Sequence, residues 1–193
     1  MKKLLLLTAL CFSLFALSAC DDIPLNGVNT GGDLPGSADP ETAAIVTAED
    51  GFAEGRMGDV MRTAFFDFTV DSAYTCTELD TYIPSEGNQL LVADISIKNT
   101  STYSMPMFDT DFQAQWGGTG DEDYSLPVTD PVVDNQAPES YEIPIDGTVT
   151  YTHVFEVPAD SKDFSISFQE YYENGETGDV FFVYFTAEDG SAA

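Results

Sequence analysis

The chain has 193 residues, with 34 acidic side chains against six basic ones and a formal charge of −28 at neutral pH. A field of that sign repels nucleic acid, anionic lipid head groups and acidic polymers, so a nucleic-acid partner is close to excluded and cations or basic partners are favoured. One histidine and three cysteines leave little material for imidazole chemistry or a disulfide framework.

In chain order, Met1-Lys2-Lys3 is a short positive segment and Leu4 to Leu17 an apolar run of about fourteen residues, the length of an export-signal core. A bilayer span takes about twenty apolar residues, so the run is too short to cross comfortably. It ends in Leu17-Ser18-Ala19-Cys20, which resembles the lipobox of bacterial lipoproteins. The resemblance implies removal of residues 1–19 and attachment of lipid to Cys20, which would hold the protein on the cell membrane facing the extracytoplasmic side. Two acyl chains anchor stably where one holds only marginally. An Asp21 after the cysteine resembles the inner-membrane retention signal of Gram-negative lipoproteins, and would carry no meaning in a Gram-positive envelope. Without residues 1–19 the chain keeps four basic residues against 34 acidic ones, a formal charge of −30. Cys76 then remains alone and reads as a small buried hydrophobe.

Residues 20–50 read as a flexible tether, punctuated by Asn26-Gly27, Gly31-Gly32, Pro35-Gly36 and Asp39-Pro40. Residues 51–193 read as one folded domain, long enough to bury about two-thirds of its unfolded surface. Phe66, Phe68 and Val70 alternate with Asp67, Thr69 and Asp71. In Gln89–Lys98, Leu91, Ala93, Ile95 and Ile97 face one way and Val92, Asp94, Ser96 and Lys98 the other. Phe112, Ala114 and Trp116 oppose Gln113 and Gln115, and Val149, Tyr151, His153, Phe155 and Val157 oppose Thr150, Thr152 and Glu156. This period of two marks strands with one wet face. Phe164, Ile166 and Phe168 repeat the pattern, Asn174-Gly175 is a hairpin signal, and Val180–Phe185 is a near-continuous apolar run expected of a strand buried on both faces or paired centrally. No helical period is sustained after residue 50. The chain is therefore expected to be all-β, an antiparallel sandwich of about seven to nine strands.

The order Gly58-Asp59, Phe68-Thr69-Val70, the stretch from Gly87 to Ser101, and Gly147-Thr148-Val149 through Val157-Pro158 resembles the immunoglobulin-like domain of unknown function carried by many bacterial surface lipoproteins, similar in fold to a secreted mycobacterial immunoprotective antigen. The resemblance covers residues 55 to 185 and implies an immunoglobulin-like sandwich outside the cytoplasm. It brings no catalytic or ligand residues. The acidic Gly117–Ser140 segment departs from the compact form of that domain.

Calcium is the one cofactor the composition suggests, through Asp109, Asp111, Asp121, Glu122, Asp123, Asp130 and Asp134. Hard oxygen donors of that kind suit a cation that takes six to eight ligands, although no spacing matches an EF-hand loop. Met105 and Met107 with His153 or Cys76 could suit a soft metal, but His153 lies on an apolar strand face and reads better as a hydrogen-bonded core or sheet-edge histidine. No nucleophile elbow, zinc-protease motif or phosphate loop is present, so an enzyme is not expected. Tyr103, Tyr124, Tyr141, Tyr171 and Tyr172 lie in or beside loops, where each reads first as a cap on the end of the sandwich and otherwise as a ring with a hydroxyl of the kind that favours protein and glycan interfaces. The expected function is a lipid-anchored, non-enzymatic binding protein that recognises a protein or glycan through its end loops, with a calcium-binding or solute-sensing module as the alternative.

Overall fold

The two runs with the clearest period of two pair with each other: in a computed structural model describing residues 43–117, 123–130 and 132–190, Gln89 lies opposite Val157 and Ile97 opposite Val149. In chain order the strands are β1 (Ile45–Thr47), β2 (Phe52–Arg56), β3 (Val60–Arg62), β4 (Phe66–Cys76), β5 (Asn88–Asn99), β6 (Met105–Phe108), β7 (Gln113–Trp116), β8 (Tyr124–Ser125), β9 (Ser140–Ile143), β10 (Thr148–Pro158), β11 (Asp163–Tyr171), β12 (Thr177–Thr186) and β13 (Glu188–Asp189). One sheet runs β1-β3-β4-β5-β10, the other β2-β12-β11-β7-β8, and β6 and β9 form a separate ribbon. The only helical turn among the described residues is the 3-10 turn Asp109–Asp111. The chain is a β-sandwich.

The long central pairings, β4 with β5, β5 with β10 and β11 with β12, are antiparallel, as the alternating sequence predicts. Three short strands pair in parallel instead: β1 on β3, β2 on β12 and β13 on β4. They depend on two local devices. A register shift between Val70 and Ser72 turns β4 partway along, so that β3 pairs with its first half and β13 with its second. Asp50 and Gly51, at φ 53° and 93°, form a two-residue turn that reverses β1 into β2. Positive φ at both central residues is what such a turn requires, and Asp-Gly supplies it at little steric cost.

The folded part begins earlier than residue 51. β1 already occupies Ile45–Thr47 and pairs with β3, so these residues, read as tether in the sequence, belong to the first sheet. A three-residue strand is too short to establish a period.

The core is aromatic. Phe66, Phe68, Phe112, Phe168 and Phe181 interlock between the sheets, with ring centroids 4.8 Å apart for Phe66 and Phe168 and 5.2 Å for Phe68 and Phe112, both pairs edge to face. That geometry sets the positive edge of one ring against the negative face of the next. Leu91, Ile95, Ile97, Phe155 and Ile166 fill the remaining space.

The first sheet's outer face is half covered. Cys76, Leu90, Val92 and Val154 form a second apolar cluster there, closed by Leu79 and Tyr82 from the β4–β5 loop and by Val128 and Val133 from the β8–β9 segment. Glu156 clamps the first of these loops, accepting hydrogen bonds from the Tyr82 hydroxyl (2.6 Å), the Asn88 amide (3.1 Å) and the Ser85 N–H (3.2 Å). Burial alone would push the Glu156 carboxyl up, but these bonds hold it below its ordinary value, and they raise the Tyr82 hydroxyl to about 12. The β8–β9 segment also covers the outer edge of β10: Val128 N–H donates to the Val154 carbonyl, and Ala137 N–H to that of Thr152. An edge strand of eleven residues is thereby shielded from pairing with another chain.

At the opposite side of the core, the buried Glu170 joins the sheets. Its carboxylate accepts from Ala64 N–H (2.7 Å), the Tyr172 hydroxyl (3.0 Å) and Asp179 N–H (3.2 Å). Glu170→Ala strips the acceptor from two main-chain donors and is expected to cost about 3 kcal/mol in urea denaturation, comparable with the 3–5 kcal/mol of a phenylalanine-to-alanine change at Phe68. A loss below about 1 kcal/mol would show that water replaces the carboxylate without penalty.

Candidate functional site

The outer face of the second sheet holds an open groove of about 780 Å³. Its shape follows from strand register. Arg56 of β2 lies beside Tyr184 of β12, Tyr184 beside Ser165 of β11, Ser165 beside Gln115 of β7, and Gln115 beside Tyr124 of β8. Two residues along, on the same face, the row reads Glu54, Phe182, Ser167, Gln113. The serines of β11 are short, so they form a floor between taller side chains on either side. One wall is aromatic, with the Phe182 and Tyr184 rings near-parallel, 6.0 Å apart and inclined by 19°. The other wall is made of the Gln113 and Gln115 amides.

Tyr184 is 46% exposed and Tyr124 48%, so both rings are open to a ligand. Partial burial and the neighbouring Glu54 push the Tyr184 hydroxyl above its ordinary value, which keeps it a neutral donor. Ser165 and Ser167 are buried in the floor, and the Ser167 hydroxyl has no hydrogen-bond partner. Asp163, Thr186 and Asp123 close the groove at the Trp116 end, and Arg56 is the basic residue among those lining it. The surroundings are therefore predominantly acidic.

The apolar run Val180–Phe185 forms most of β12, which is central, between β2 and β11. It is not buried on both faces. Phe181 and Val183 are core residues, whereas Phe182 is half-buried and Tyr184 exposed in the groove. In sequence these rings are indistinguishable from core, although among the described residues nothing covers the face they line.

Of the seven acidic residues that suggest calcium, the five among the described residues lie on separate segments. Asp109 and Asp111 sit on the 3-10 turn after β6. Asp109 is 3% exposed, with one carboxylate oxygen unpartnered, and burial raises its carboxyl above the ordinary range. Asp111 accepts from Phe108 N–H at 2.8 Å, closing that turn, and burial raises it as well. Asp123 lies on the groove rim, while Asp130 and Asp134 are exposed on the segment that covers β10. Asp121, Glu122 and Cys20 fall outside the described residues. Among the described residues no group of three His, Cys, Asp or Glu side chains is placed to hold a metal ion. The soft-metal set is not assembled either. His153 faces the core against Phe112 (5.5 Å between ring centroids), and Cys76 is a free, buried thiol in the second apolar cluster on the other face of the same sheet.

The end-loop tyrosines divide. Tyr103, Tyr171 and Tyr172 are exposed, whereas Tyr141 is packed against Tyr151 with its hydroxyl buried and unpartnered. Asn99 gathers the loops at that end, donating to the carbonyls of Tyr103 and Ile143 at 2.8 and 2.9 Å.

No protein-family model matches the chain, and no curated protein matches it. Solved structures do. A Bacillus subtilis protein classed as a candidate lipoprotein superposes with a TM-score of 0.54 at 15% identity, over 67% of this chain and 39% of that one. The chain thus spans well under half the length of that neighbour. A candidate lipoprotein from Staphylococcus aureus matches at TM-score 0.47 and 13% identity, over 70% of this chain and 97% of that one. An uncharacterised β-sandwich protein from Clostridium difficile matches at 0.40 and 11%, over 69% and 93%. At such identities the likeness concerns the fold.

His153 gives the fold a pH dependence. It is fully buried with both ring nitrogens unpartnered, and burial pushes its pKa from 6.5 down to about 4. Below pH 6.5 the unfolded chain binds a proton that the folded chain refuses until about pH 4. Stability is therefore expected to fall through that window by about 1.4 kcal/mol per pH unit, roughly 3 kcal/mol in all. Asp109 and Asp111, raised by burial, act in the opposite sense, so the histidine contribution is isolated by comparison with His153→Leu. Urea titrations should show that slope in the parent and lose it in the variant; identical slopes would mean that the imidazole is charged or hydrated in the folded state.

Proposed function

We propose that the chain is a lipid-anchored, extracytoplasmic binding protein that presents the groove on the outer face of its second sheet to a protein or glycan. The observation that carries this reading is the groove itself. A concave surface that combines exposed rings with a few convergent polar groups is the usual form of a ligand site. The export signal and the Leu17-Ser18-Ala19-Cys20 sequence support the anchor, as do the neighbours classed as candidate lipoproteins. Among the described residues no helix is long and apolar enough to cross a membrane.

Binding rather than catalysis is supported by the fate of the single histidine, which is committed to the core. The end loops carry exposed rings, but rings scattered over a convex end provide less contact than a trough with two unlike walls, and the ligand is placed in the trough for that reason.

Two measurements test the reading. Cys20→Ser is expected to move the chain from the membrane fraction to the soluble fraction; a variant that stays with the membrane would remove the lipid anchor from the account. A photo-crosslinking amino acid at Gln113 is expected to yield adducts in intact cells, and the same group at Tyr171 is not. Adducts only at Tyr171 would return the site to the end loops.

A further inference from the structure

We infer that the groove takes a neutral oligosaccharide, with sugar rings stacked on the Tyr184–Phe182 wall and hydroxyls read by the Gln113–Gln115 wall. This rests on the binding reading above and specifies its ligand.

The argument begins with the two walls. A ligand lying along β11 meets near-parallel aromatic rings on one side and primary amides on the other. It must therefore offer an apolar face to the rings and, at its edge, groups that both donate and accept hydrogen bonds. Each glutamine amide provides two N–H donors and a carbonyl acceptor, the complement of adjacent hydroxyls that do both. A sugar ring has that form: C–H bonds on its faces and hydroxyls around its rim. The floor repeats the chemistry, with the hydroxyl of Ser165 in the groove and that of Ser167, without a hydrogen-bond partner, one row further along.

A peptide fits less well. An extended peptide docks on a sheet chiefly by adding a strand at an edge, where main-chain N–H and C=O groups are unpaired. Along this groove β12 lies between β2 and β11, and β11 between β12 and β7, so their main-chain groups are directed to neighbouring strands. Over β11 and β12 the side chains therefore face the ligand.

Charge narrows the class further. Asp123 and Asp163 line the groove with Arg56, Glu54 stands beside Tyr184, and the whole chain carries −28. A polyanionic glycan would meet like charge. A neutral glycan would not, and its recognition would depend little on salt.

The chain's one tryptophan, Trp116, lines the groove and reports occupancy by its fluorescence. The full-length chain in detergent is titrated with cellohexaose, mannohexaose and N-acetylated chitohexaose, with hexagalacturonate as the acidic control. The expected result is a saturable change with at least one neutral hexasaccharide and none with hexagalacturonate. Tyr184→Ala and Gln115→Ala should each weaken that binding by about tenfold or more, the scale of a lost anchor at the centre of a site, and Tyr184→Phe should retain most of it. These side chains lie outside the core, so melting temperatures should be unchanged and the loss assigned to contact.

The inference is overturned if no neutral hexasaccharide binds, if hexagalacturonate binds as well, or if binding is indifferent to both alanine variants. Gln113 crosslinking separates this failure from that of the binding reading. Protein adducts without sugar binding leave the groove a binding site with a different ligand class. No adduct and no sugar binding removes both.

Discussion

The edge-to-face packing of Phe66, Phe68, Phe112, Phe168 and Phe181 decides which side of the first half of β4, of β7, of β11 and of β12 points inward. Strand side chains alternate strictly, so once these rings are committed to the space between the sheets, every second neighbour is committed to an outer face. Phe181 and Val183 inside put Phe182 and Tyr184 outside. Phe112 and Ala114 inside put Gln113 and Gln115 outside, and Ile166 and Phe168 leave Ser165 and Ser167 as the low ground between them. The groove is the outward copy of the core's register.

The two outer faces are then treated differently. On the first sheet, the β4–β5 loop and the β8–β9 segment close over Cys76, Leu90, Val92 and Val154, held there by Glu156 and by main-chain bonds to β10. On the second sheet the aromatic residues stay open beside the amides. Ordinary solubility does not require rings there, and a large ring left in water forgoes the stabilisation it would gain by burial. An exposed ring pair beside convergent polar groups is the arrangement that the proposed binding role calls for. The heavy negative charge fits the same picture by rejecting anionic ligands at long range.

Much of the sandwich was legible in the sequence because its central strands are long and wet on one face. The alternation of β5, β10 and β11 gave the inward residues correctly, including His153. The parallel edge strands were not legible. β1, β3 and β13 have two or three residues each, too few for a period, and their partners are far away in sequence. Asp50-Gly51 was a usable hairpin signal for the start of the domain, but no recognisable strand precedes it. The groove was hidden for a related reason. Phe182 and Tyr184 look like core until the register across β12, β11 and β7 places them on the outer face, where no described residue packs over them. Of the acidic residues, Asp109, Asp111, Asp123, Asp130 and Asp134 belong to no group of three side chains placed to hold a metal ion among the described residues.

The central claim is that loops cover one apolar patch on the first sheet's outer face while the groove on the second sheet stays open. Thiol reactivity measures this directly in a chain with Cys11 and Cys20 replaced by serine. The account predicts that Cys76, buried and with its thiol pKa raised by burial, reacts with a disulfide reagent only as fast as the covering loops open, while a Gln115→Cys thiol on the groove wall reacts at the rate of a free thiol. Rapid reaction of Cys76, or protection of the Gln115→Cys thiol in the isolated protein, would contradict it.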